Sequence, residues 1–134
     1  MTITESFIQW LEGQGVATFG QDLYLRRVPD SKNTPTSLYW IIPGGGFPLG
    51  RNRTGEMIKQ YSYTINYRSN KVKEVEEKLN ALEELLNCQN CIVLDGYEVL
   101  EVEVNVFPSD GDNDEEDRET GLLQVNIKTY KQRC

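Results

Sequence analysis

The chain has 134 residues, of which 26% are charged and 38% hydrophobic, and its formal net charge is −7. That length fits one domain over residues 1–134, able to bury roughly two thirds of its unfolded surface. No apolar run nears the roughly 18 residues that span a membrane; no basic stripe exists to neutralise phosphates; and the absence of histidine excludes Ser-His-Asp and Cys-His catalysis.

The opening MTITESFIQW has no basic region followed by an apolar core, so no signal peptide is expected and cytoplasmic synthesis is the default. It reads instead as a helix. Thr2 and Glu5 match the capping box T-x-x-E. Ile3, Phe7, Trp10 and Leu11 then share one helical face, and Gly13 is placed to end it. A strand is expected from Asp22 to Val28, ended by Pro29, and a second over 37–42, SLYWII. Residues 43–56, PGGGFPLGRNRTGE, hold five glycines and two prolines, which reads as a long irregular loop.

KQYSYTINYRS then alternates. Tyr61, Tyr63, Ile65 and Tyr67 fall on one side, and Ser62, Thr64 and Asn66 on the other, which predicts a half-buried strand. Ser69 or Asn70 is placed to cap an amphipathic helix whose stripe is Val72, Val75, Leu79, Leu82, Leu85 and Leu86. CIVLD is short, either strand or irregular. GYEVLEVEVNVFP is a long strand with Leu100, Val102, Val104 and Val106 on one face and Glu101, Glu103 and Asn105 on the other. Leu123, Val125 and Ile127 mark the last strand. The order predicts an α+β fold: a mostly antiparallel sheet with two helices packed on one face, a long Gly-rich loop, and a C-terminal hairpin with an acidic tip.

That tip is PSDGDNDEEDRETG, residues 108–121. It holds Asp110, Asp112, Asp114, Glu115, Glu116, Asp117 and Glu119 against Arg118 alone, so the rest of the chain is nearly neutral. A calcium loop of the EF-hand type needs glycine at its sixth position and glutamate at its twelfth. Counted from Asp110, those positions hold Glu115 and Gly121, so both fail. Seven neighbouring acids on one loop are also poorly suited to acid–base work, which needs a pair held in different environments. A solvated hairpin tip is the plainer reading, with the charge acting collectively through repulsion or docking.

Cys88 and Cys91 form a CxxC, but a structural zinc needs two more ligands and Cys134 is the only other thiol. Packing at a helix end explains the pair better. The odd count of three fits a reduced compartment. The Gly-rich segment is no phosphate loop, because no GK[ST] follows. Phe47, Leu49, Arg51 and Arg53 within it suit contact with another protein, or the segment is merely mobile. The tyrosine row reads as a core face. No cofactor, metal or catalytic set is expected, so the chain is read as no enzyme.

The arrangement resembles the tail terminator (tail completion) proteins of long-tailed bacteriophages over nearly its whole length. The likeness lies in order and texture: a helix, a strand ending in RRVPD, YWIIPGGG, YSYTINYRS leading straight into NKVKEVEEKLNALEELLN, and VFPSDG with an acidic turn before RETGLLQVNIKTYKQ. The resemblance implies a structural virion protein whose six copies ring the tail tube. The ring would end tube growth and meet the head–tail connector, with DNA passing through its lumen without specific binding and no membrane involved. Alternatives are another connector or adaptor protein, or a small metal-binding domain. The turn is unusually acidic for the family, and the resemblance assigns no role to Cys88 and Cys91.

Overall fold

A computed structural model of the chain describes residues 2–28, 36–51, 55, 57–87, 92, 94, 96–107 and 119–131. Its elements are α1 (Ile3–Gly13), β1 (Leu23–Leu25), β2 (Leu38–Arg51), β3 (Met57–Ser69), α2 (Val72–Leu86), β4 (Tyr97–Phe107) and β5 (Glu119–Lys131). The strands form one sheet in the order β1-β2-β3-β5-β4. β1 runs parallel to β2, and the other neighbours are antiparallel. The fold is α+β, as the element order predicts.

Local chemistry sets the ends of the elements. Thr2 caps α1 as expected: the Glu5 N–H donates to the Thr2 hydroxyl, which donates in turn to the Glu5 carboxylate, both at 3.2 Å. The helix ends in a Schellman motif built on Gly15, two residues beyond Gly13. Gly15 has φ of 78°, its N–H donates to the Glu12 carbonyl at 3.0 Å, and the Val16 N–H donates to that of Leu11 at 3.2 Å. β1 is shorter than its sequence suggests. Arg26 adopts φ of 72°, which turns the chain out of the ladder after its N–H reaches the Ile41 carbonyl at 2.7 Å. α2 begins after Lys71 without a side-chain cap of its own, and Ser69 accepts from the Lys71 N–H at 3.2 Å.

The strand alternation builds the core. In-register rows run Tyr39–Tyr67, Ile41–Ile65–Leu123–Val106 and Tyr63–Val125–Val104 across the sheet. Phe7 and Leu11 of α1 and Val75, Leu79, Leu82 and Leu86 of α2 are buried in the same cluster. Both helices therefore cover one face. Each fully buried leucine or phenylalanine contributes about 1.5–3 kcal/mol from leaving water. Aromatic pairs tie α1 to the sheet, where the Phe7 ring lies 4.9 Å from Tyr63, and β2 to β3, where Tyr39 lies 4.5 Å from Tyr67. Tyr67 also donates to the Glu74 carboxylate at 2.6 Å, fastening β3 to the first turn of α2.

Two expectations are corrected. The Gly-rich segment is no irregular loop up to Arg51. β2 continues through it, paired with β3, and shifts register between Pro43 and Gly46 and between Pro48 and Gly50. Bulges absorb the prolines and glycines that composition alone marks as strand breakers. Leu100 also leaves the core face. A register shift between Val99 and Glu101 moves it to solvent, and Val99 packs against the core with Val102, Val104 and Val106.

Candidate interaction surface

Neither helix covers the second face of the sheet among the described residues. Its rows follow the other phase of the strands: Trp40–Asn66–Leu122–Phe107, Ile42–Thr64–Gln124–Asn105 and Phe47–Gln60–Lys128–Glu101. Leu38 and Asn66 are buried there, but most of the face is open to solvent in whole or part. Polar contacts link neighbouring strands on it. Ser62 donates to the Asn126 side-chain oxygen at 2.6 Å, and Lys128 meets Glu101 at 2.9 Å. That ion pair lowers the pKa of Glu101 and raises that of Lys128. Being exposed, it fixes geometry more than it stabilises the fold.

The β2–β3 hairpin extends beyond the helices. Phe47 and Leu49 on it are each 47% exposed, and Met57 joins them. Arg51 donates to the Gly55 carbonyl at 2.7 Å, which ties the outer end of the hairpin. Gly46 makes room for the ring of its cross-strand partner Tyr61. A Cβ there would stand 2.6 Å from the Tyr61 ring, so the aromatic lies directly on bare backbone. A cavity of about 150 Å³ opens beside it, lined by Ile3, Thr4, Pro43, Gly45, Tyr61 and Tyr63. Tyr63 and Thr4 join hydroxyls at 3.1 Å along its wall. Gly46 and Ser62 complete the lining, whose polar side chains are the hydroxyls of Thr4, Tyr61, Ser62 and Tyr63.

The structure thus brings Phe47, Leu49 and Arg51 together on one projecting hairpin. Arg53 and the acids Asp110, Asp112, Asp114, Glu115, Glu116 and Asp117 lie outside the described residues, as do Cys88, Cys91 and Cys134. The exposed Leu100 and Phe107 on β4 were not among the expected contact residues. Phe107 shares the phase of Glu101, Glu103 and Asn105, so alternation alone could have placed it outside. Leu100 could not be found that way, because the bulge breaks its phase. Among the described residues no group of three or more Cys, Asp and Glu could hold a metal ion, and no helix is long and apolar enough to cross a membrane.

The described residues thus form a sheet with one face covered by helices, one open face and a hairpin with exposed apolar side chains. A family model described as bacteriophage tail terminator protein matches residues 10–132, and the chain belongs to that family, a structural one of the phage tail. No curated protein matches the chain. A solved chain described as "Virion of native gene transfer agent (GTA) particle" shares the fold, with a TM-score of 0.64 at 10% identity over 96% of this chain and 94% of that one. By its family the protein is a structural protein of the phage tail.

Proposed function

We propose that six copies of this chain, each a single domain, form a ring on the head-proximal end of the tail tube. The ring ends addition of tube subunits and presents a surface to the head–tail connector. Assembly takes place in the host cytoplasm, no bond is made or broken, and no cofactor is needed. The observation that carries this reading is the family match over residues 10–132. The open sheet face and the projecting hairpin support it, because a cap acts through surface complementarity. A second reading, another connector component of the same fold, draws support from the structural neighbour, whose description names only the virion.

The acidic stretch joins β4 to β5, so a ring gathers six such tips. In the lumen they repel passing DNA; on a ring face they dock a basic partner. Their mutual repulsion weakens association at low salt and is relieved near 0.15 M, where the Debye length is about 8 Å. The experiment is native mass with and without Mg²⁺, negative-stain imaging, and the length of tubes assembled with the protein present. Six-fold rings and shortened tubes are expected; tubes of unchanged length would sink the capping role. Neutralising Asp112, Asp114, Glu115 and Glu116 together should flatten the salt dependence of ring formation.

A further inference from the structure

The ring, taken as its premise, needs an interface, and the sheet has two uncovered edges. β1 pairs only with Tyr39, Trp40 and Ile41 of β2, so the outer edge of β2 carries no strand from Ile42 to Arg51 among the described residues. β4 pairs with β5 on one side and with no described strand on the other. We propose that adjacent copies join along β4 of one and the Ile42–Arg51 edge of β2 of the next, with antiparallel strand pairing confined to Gly44–Phe47.

Four observations fix this partner. First, the strands from β2 through β3 and β5 to β4 alternate in direction. β4 and β2 therefore run oppositely, and copies repeated in one orientation meet antiparallel. Opposite edges of one sheet make a head-to-tail interface, the kind that closes into rings. Second, Phe47 and Glu101 stand in the same row across the sheet, so copies at equal height bring Glu101 of one beside Phe47 of the next. Third, charge favours unlike edges. β4 exposes Glu98, Glu101 and Glu103, which repel a second β4, while Arg51 and Lys59 are exposed at the hairpin end of β2 and β3. Fourth, the exposed apolar side chains fall where they would meet: Leu100 on β4, and Phe47 and Leu49 on β2.

Pro43 and Pro48 have no N–H to offer. They bound the new ladder to Gly44–Phe47 and disfavour pairing of two β2 edges. Side chains outside that stretch carry the rest of the contact.

The test uses a chain with Cys88, Cys91 and Cys134 changed to serine. Copies bearing Phe47→Cys are mixed with copies bearing Glu101→Cys or Glu103→Cys and treated with a short thiol cross-linker. Dimers should appear in the mixtures and not with either variant alone. Phe47→Cys mixed with Glu12→Cys, on the exposed side of α1, should give none. Cross-linking of Glu101→Cys copies alone would mean a two-fold β4–β4 contact and overturn the proposal. In the unaltered protein, amide exchange at Gly44–Phe47 and Glu101–Glu103 should slow on assembly. Rings of native mass with no slowing and no mixed cross-link would overturn the strand pairing and leave the ring intact. A chain that stays monomeric even beside assembled tubes would overturn both.

Discussion

The two halves of the β2–β3 hairpin differ in what holds them. At one half, Tyr39, Ile41, Ile65 and Tyr67 are buried under α1 and α2. At the other, Phe47 to Arg51 of β2 and the facing start of β3 leave Phe47, Leu49 and Met57 exposed. One ladder thus has two environments: the helix-covered half stabilises the fold, and the other half, on the proposed assembly, meets a neighbouring copy. Substitutions that are equal in chemistry should therefore have opposite consequences in the two halves.

The largest effect belongs to the covered half. Phe7→Ala empties the space against Tyr63 and should cost about 3–5 kcal/mol in denaturant unfolding. Gly46→Ala tests the boundary between the halves. Its Cβ would press on the Tyr61 ring at 2.6 Å, and about 1–3 kcal/mol should be lost. Adding Tyr61→Ala should recover part of that loss, as expected for residues in contact.

Tyr67→Phe should cost about 1–2 kcal/mol, because the hydroxyl bonds a carboxylate. The pH dependence has a definite sign. The Tyr67 hydrogen bond holds the Glu74 carboxyl below its usual range. That stability is present above the unfolded carboxylate pKa and is lost as pH falls through the lowered folded value. The gap between parent and variant should therefore narrow on the acid side. At the alkaline side, burial and then the Glu74 hydrogen bond raise the Tyr67 pKa. Its contribution persists below the ordinary tyrosine value and fades as pH rises through the raised one. Burial likewise pushes Tyr39 up to about 12.

The smallest effect on folding belongs to the uncovered half. Phe47→Ala should shift unfolding by no more than about 0.5 kcal/mol. It should nevertheless reduce assembly, read as native mass against concentration. Equal losses of stability from Phe7→Ala and Phe47→Ala would erase the distinction drawn between the halves.

Much of the covered half could be read from the chain before folding. The Thr2 capping box, the alternation around Tyr63 and Tyr67, and the leucine stripe of α2 are local signals that tertiary packing reinforces. What sequence missed were departures from periodicity. Two bulges carry β2 through Pro43 and Pro48, and a third turns Leu100 outward. Each costs one residue of register, which is invisible until the partner strand is known. Arg26 with positive φ shortened β1 for the same reason, since only the fold compels that backbone. Of the exposed apolar residues, Phe47 and Leu49 stand out by composition and Phe107 by alternation, while Leu100 needed the register.

The strand order carries a consequence in time. β5 is the last strand along the chain, yet it lies between β3 and β4 near the middle of the sheet. During synthesis, β2 and β3 can pair at once, but the inner edge of β3 waits until α2, β4 and the acidic stretch have been made. The centre of the sheet then closes over a long sequence separation, which is entropically slow. Until that moment the nascent chain displays an apolar strand edge through Tyr63 and Ile65, and its exposure to aggregation is set by how soon β5 arrives.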